Sequence, residues 1–206
     1  MVTFNGNSIT GVTIGDTPVN AVYCNGNLVF DKWIPLSFPN GNDKMPDNDN
    51  KYRGFNATGS TRHTSSYTHN KSFNGSANDC YTASKISGTP YLFLKFPFAF
   101  EDSAIITSIE VTYAENPDTI PYASEGKIYL ITSGTDPELR REVYSDFTIG
   151  SIGSAPKTFN PISTAVNIRC GGVVFTSKEN TAARYGNITI NFKLPWSKWN
   201  AWRQNY

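Results

Sequence analysis

Residues 187–194 alternate without a break. Ile188, Ile190, Phe192 and Leu194 fall on one side of an extended chain, and Asn187, Thr189, Asn191 and Lys193 on the other. The run 104–114 repeats the pattern, with Ile105, Ile109, Val111 and Tyr113 set against Ser108, Glu110 and Thr112. A period of two cannot serve a helix; it builds strands with one buried face. Further strands are expected over 91–100, the most apolar and therefore central, and over 127–132, 139–149 and 165–176. The last is interrupted at Gly171-Gly172, where a bulge or tight bend is expected. No helical period of useful length precedes residue 195. The fold class that follows is all-β: an antiparallel, jelly-roll-like β-sandwich with a small N-terminal β-meander and long loops.

Three segments organise the 206 residues. Residues 1–33 form the meander, with strands over 9–14 and 19–23, a turn cluster at Gly15-Asp16-Thr17-Pro18, and a return through Leu28-Val29-Phe30. Asn25-Gly26 is the strongest short hairpin signal, because both residues tolerate positive φ. So small a unit buries little alone and is expected to dock, through Tyr23, Phe30 and Trp33. Residues 34–194 hold the sandwich. Within them, thirty of the fifty residues 40–89 are Asn, Ser, Thr, Gly or Asp, yet Tyr52, Phe55, Tyr67, Phe73 and Tyr81 recur through the stretch. Long ordered loops pinned by rings, with one or two irregular strands, fit that composition better than a flexible linker does. Residues 195–206 carry three of the four tryptophans. Pro195 and the i, i+3 spacing of Trp196, Trp199 and Trp202 predict a short helical tail. It either folds back on its own sandwich or, the reading preferred from sequence, anchors another subunit through those indoles and Arg203.

Charge and cysteine content exclude several roles. A net charge of +1 offers no basic field for nucleic acid. No apolar run approaches the roughly 20 residues of a membrane helix. The first ten residues lack a basic region and an apolar core, so they do not read as a signal peptide. Cys24, Cys80 and Cys170 are far apart, form no zinc spacing, and are expected as free thiols.

Chemistry is sparsely represented. No GxSxG, HExxH or P-loop occurs, and two histidines leave little for acid–base work, so the chain is expected to be non-enzymatic and to need no cofactor. Asp43, Asp47 and Asp49 make a weak calcium candidate. Counted as a calcium loop from Asp47, however, the sixth position is Tyr52 rather than Gly and the twelfth Thr58 rather than Glu. His63, His69 and Cys80 are a weaker zinc set. Rings beside amide, carboxylate and guanidinium groups are the composition of a sugar site, which Tyr52, Arg53, Phe55, Asn56, Tyr67 and Tyr81 supply. The same rings would equally serve as packing beneath the loops.

The run from Ile14 to Phe30, IGDTPVNAVYCNGNLVF, resembles a small β-hairpin module of tailed-bacteriophage virion proteins, departing from it at Cys24. Residues 103–113, Gly171-Gly172-Val173-Val174-Phe175 and 185–190 resemble the sandwich of phage fibre and decoration proteins. This resemblance implies a non-enzymatic structural subunit of a phage particle, made in the host cytoplasm and resident in the virion. Its partners would be other virion proteins and further copies of itself, a trimer among the options, with a cell-surface glycan as a possible contact. The alternative reading, from the loop composition, is a carbohydrate-binding β-sandwich module.

Overall fold

The computed structural model describes residues 3–4, 7–8, 11–14, 16–62, 65–66, 68–76, 79–84, 87–101, 103–112, 125–132, 141–148, 156–179 and 181–206. Two antiparallel sheets face one another, as the alternation demands. The larger has six strands in the order Arg141–Thr148, Glu125–Ile131, Gly172–Thr176, Tyr91–Lys95, Phe55–Gly59 and Lys51–Tyr52. The smaller runs Lys157–Phe159, Ala104–Thr112, Asn187–Pro195 and Trp33–Phe38, with Arg169–Cys170 also paired to Ala104–Thr112. A separate ribbon joins Tyr81–Ala83 to Ala183–Tyr185.

Ile188, Ile190, Phe192 and Leu194 are buried as their alternation requires, opposite Leu92, Leu94, Val173 and Phe175 of the facing sheet. Asn187 departs from the pattern. It is buried, and its amide donates to Asn74 Oδ1 at 3.2 Å. The Ala104–Thr112 strand carries a register shift between Ile106 and Ser108. That irregularity changes the phase, so Ile106 joins Ile109 and Val111 in the main core in place of Ile105. The strand expected over 91–100 is central but stops at Lys95; Pro97 follows and Phe98–Phe100 form a 3₁₀ turn. At Gly171 the chain crosses from one sheet to the other, which is the bend that the glycine pair signals. A side chain at Gly172 would lie 2.6 Å from Leu94 O and 2.6 Å from the Phe93 ring, so only glycine lets the strands close there.

Two regions differ from expectation. The N-terminal unit is not one three-stranded meander. Thr3–Phe4 pairs with Asn7–Ser8, Val12–Ile14 with Thr17–Val19, and Ala21–Cys24 with Asn27–Asp31, as three short ribbons. Asn25 and Gly26 turn the last of them with φ of 49° and 79°. Residues 40–89 also hold more regular structure than their composition suggests. Phe55 and Tyr81 start strands, Phe73 follows the 3₁₀ turn His69–Ser72, and all three rings are core residues rather than loop pins.

The tail is an α-helix, Trp196–Gln204, and it lies on its own sandwich. Trp202 is only 6% exposed. It meets Phe55 edge-on at 6.1 Å and Phe100 at 5.3 Å, and Trp199 packs on the same core. A buried indole cannot anchor a partner, so the intermolecular reading of Trp202 is corrected. Trp196 is half-buried, and Arg203 is exposed with its guanidinium 4.5 Å from the Trp199 ring centre. Of the other residues expected to dock, Tyr23 is exposed and Phe30 is buried within the chain. Trp33 is half-buried between Arg169 and Lys193.

Candidate functional site

A cleft of about 640 Å³ opens at the end of the six-stranded sheet where the Glu125–Ile131 strand begins and the Gly172–Thr176 strand ends. Glu125, Lys127 and Tyr129 line it at alternate positions, so a single face of one strand supplies all three. Asp146 is paired opposite Lys127, and Thr89, Thr176, Ser177 and Lys178 complete the rim. Lys127 Nζ lies 3.2 Å from Asp146 Oδ1. Both side chains are exposed, so the pair fixes geometry more than it stabilises the fold. Two carboxylates face two ammonium groups, giving a cleft rich in hydrogen-bonding groups with no net charge. One tyrosine ring lies among them.

Gly126 lets the Glu125–Ile131 strand pack closely against Thr176 at the edge of the cleft. A methyl group there would sit 1.9 Å from Thr176 O. The Thr176 hydroxyl ties the two strands together there, accepting from Lys127 N at 3.2 Å and donating to Lys127 O at 3.1 Å. Gly126→Ala is therefore expected to cost about 3 kcal/mol through overpacking. Chemical denaturation measures the loss.

The sugar-site residues expected from sequence do not assemble here. Phe55 is stacked on Phe38 at 3.9 Å in the core. Tyr81 is also buried; its hydroxyl donates to Ser60 O and its ring stacks on Tyr185. Asn56 pairs with Lys51 and Lys95 along the sheet, and Tyr67 lies outside the described residues. Tyr52 and Arg53 do come together, at the opposite end of the sandwich. Tyr52 OH donates to Asp43 Oδ1 at 2.8 Å, and Arg53 Nη1 donates to the same oxygen at 3.2 Å. The Arg53 guanidinium lies 5.4 Å from the Tyr52 ring centre and 6.0 Å from that of Trp202, whose Nε1 donates to Arg53 O at 2.7 Å. Burial, and the hydrogen bond to Asp43, hold the Tyr52 hydroxyl above its ordinary pKa.

The calcium candidate is dispersed. Asp43 serves the Tyr52–Arg53 pair. Asp47 lies 3.6 Å from Lys71 Nζ and accepts from Asn74 at 3.2 Å, and these two partners hold its carboxyl below the usual range. Asp49 accepts from Lys51 N at 3.0 Å. Among the described residues, no group of three His, Cys, Asp or Glu converges. His63 lies outside those residues, and Cys80 is buried beside Thr82.

His69 packs against Tyr81 at 4.6 Å, with Nε2 3.3 Å from Ser60 O, and burial lowers its pKa. An unfolded chain thus takes up a proton near pH 6.5 that the folded chain refuses. The stability contributed by neutral His69 is full above that pH and is lost as pH falls below it. Thermal melts between pH 7.5 and 5 should show the decline, and His69→Gln should flatten it.

The cleft was missed in sequence because its residues are the outward-facing half of strands identified by their inward half. The available signal was the spacing Glu125-x-Lys127-x-Tyr129, three polar side chains on one face.

No protein-family model matches the chain. No curated protein matches it. Solved structures do share its fold. A family 32 carbohydrate-binding module of Clostridium perfringens NanJ, solved with galactose, is 12% identical and superposes with a TM-score of 0.50 over 76% of this chain and 99% of its own. A second C. perfringens family 32 module, solved with GalNAc-β-1,3-galactose, is 12% identical with a TM-score of 0.50, over 71% of this chain and 98% of its own. An F5/8 type C domain from Bacteroides fragilis is 10% identical with a TM-score of 0.50, over 66% and 90%. The sandwich thus has the fold of these domains. This overturns the likeness to phage virion proteins, and with it the structural-subunit reading and its virion partners. The hairpin that suggested the likeness owes its pattern to the Asn25-Gly26 turn, which any tight ribbon can use.

Proposed function

We propose that this chain is a carbohydrate-binding module, and that its sugar site is the cleft formed by Glu125, Lys127, Tyr129, Asp146 and Lys178. The observation that carries the proposal is the cleft's makeup: a concavity of about 640 Å³ with paired opposite charges and one aromatic ring. That volume falls within the range of small-ligand sites. Zero net charge suits a neutral, hydroxyl-rich ligand, since carboxylates accept from sugar hydroxyls and ammonium groups donate to them. The shared fold of modules solved with galactose and with GalNAc-β-1,3-galactose supports the same reading. The role is binding, without bond-making chemistry.

A glycan array followed by calorimetry, with galactose and GalNAc-β-1,3-galactose among the ligands, tests it. Binding is expected, and Asp146→Ala should weaken it at least tenfold, about 1.4 kcal/mol. Asp146 is exposed, so its removal leaves the fold intact. Absence of binding to every glycan, or binding that ignores both Asp146→Ala and Lys127→Ala, would overturn the proposal.

A further inference from the structure

At the other end of the sandwich, three segments meet around one turn. Arg53 and Gly54 connect Lys51–Tyr52 to Phe55–Gly59 with φ of 44° and 87°. A side chain at Gly54 would lie 3.1 Å from Pro97 Cβ and 3.1 Å from Tyr206 OH. The turn therefore touches both the segment leading into Phe98 and the end of the chain. Phe98 is 88% exposed and Tyr206 is 58% exposed. Beside them the Arg53–Asp43 pair is open to solvent, with side chains 37% and 45% accessible.

Two features set this surface apart from incidental exposure. Arginine in the left-handed region costs roughly 1–2 kcal/mol in backbone energy that glycine would avoid. Its side chain is what the position gains. The scaffold beneath is also fixed, because Tyr52 OH and Arg53 Nη1 converge on one Asp43 oxygen while Trp202 Nε1 holds the Arg53 carbonyl. The result is a preorganised donor–acceptor pair, neutral in itself, on a turn that meets Pro97, which leads into the exposed Phe98, and the hydroxyl of Tyr206.

We infer that the Arg53–Asp43 pair, with Phe98 and Tyr206, forms a second sugar-binding surface, making the module bivalent for a glycan chain. The inference rests on the glycan-binding reading of the cleft but uses none of its residues. Phe98 and Tyr206 offer ring faces to a sugar ring. Arg53 donates to hydroxyls, and Asp43 accepts from them. Neutrality again favours an uncharged glycan over an anionic one. A protein partner is disfavoured by area: two rings and one ion pair fall well short of the roughly 800 Å² per partner of a standard interface. The register places the two sites apart. Tyr91 pairs with Thr176 at the cleft end, whereas Lys95 pairs with Asn56 at the Arg53 end. At about 3.4 Å per residue the five-residue strand keeps them on the order of 15 Å apart, too far for one monosaccharide to bridge.

The test is an amide-shift titration of the full ¹⁵N-labelled chain with galacto-, manno-, gluco- and N-acetylglucosamine tetraoses. Two separate groups of shifts are expected, one at 125–129 and 176–178, the other at 53–54, 98–100 and 203–206. Phe98→Ala should weaken the second group's apparent affinity at least fivefold and leave the first unchanged; because Phe98 is exposed, the fold survives the change. Asp43→Asn, which keeps the shape, should weaken the second group alone. Shifts confined to the cleft would overturn the second surface and leave the proposed function standing. No shifts with any tetraose would likewise overturn the second surface, and the glycan array then decides the cleft. Concentration-dependent shifts at 98–100 without sugar would assign the surface to protein contact and overturn the inference.

Discussion

Replacing Trp202 with alanine is expected to remove about 4 kcal/mol of folding stability, the range for emptying a large aromatic site in a core. The indole fills space against Phe55 and Phe100 and lies 6.2 Å from Tyr206. Its Nε1 also holds Arg53 O, so alanine leaves that carbonyl without its donor. A domain of ordinary stability has 5–15 kcal/mol in hand. The variant should therefore remain folded only in mild conditions, with a denaturant midpoint far below that of the parent. Deleting residues 196–206 should act in the same direction and further, because Trp199 is lost with it. A truncated chain that keeps the parent's midpoint would show that the helix is an appendage rather than part of the core.

The second large effect is expected in alkali. Tyr81, Tyr144 and Tyr185 are buried, and each donates its hydroxyl proton to a backbone carbonyl: Ser60 O, Phe159 O at 3.3 Å and Pro90 O at 2.9 Å respectively. Burial raises all three well above the ordinary value of 10.0. The unfolded chain releases these protons from about pH 10, while the folded chain keeps them. Stability is therefore complete below pH 10 and falls as pH rises beyond it, by up to about 1.4 kcal/mol per pH unit for each tyrosine. Ultraviolet titration should show these phenols ionising only together with unfolding. Tyr185→Phe should reduce the slope of stability against pH by about a third. Ionisation of all the tyrosines near pH 10 in a chain that stays folded would contradict the burial described.

The strands that sequence made legible are those whose two faces differ most. Asn187–Pro195 could be drawn residue by residue because large aliphatic and polar side chains alternate there. Ala104–Thr112 was misphased by one residue at its start, since an irregularity between Ile106 and Ser108 leaves no trace in composition. Phe55–Gly59 hid for another reason: FNATG buries one ring and one methyl group, and its asparagine, threonine and glycine read as loop. Packing against Phe38 and Phe96, not propensity, makes it a strand. The tail's helix was visible in its spacing, but whether its indoles cover the chain's own core or another's depends on tertiary geometry. The same holds for the candidate cleft. Its polar residues were in view as outward positions, and only the pairing of strands distant in sequence brings them to one cavity.

The backbone segments on either side of the sandwich are stitched together. Trp196 N donates to Lys32 O at 2.8 Å, Ser197 N donates to Asp31 Oδ1 at 3.0 Å, and Trp33 pairs with Pro195 at the start of one strand and the finish of the other. Tension applied through those two points meets the antiparallel hydrogen bonds in single file, because the bonds run across the strands and the pull acts along them. The two strands would peel like a zip instead of sliding in shear, and each step would break only a bond or two. Held by both flanks, the module is a weak mechanical link that yields at low force. Pulled instead between the cleft and the Arg53 turn, which lie at opposite ends, it would be loaded along its strands, the direction in which a sheet resists best.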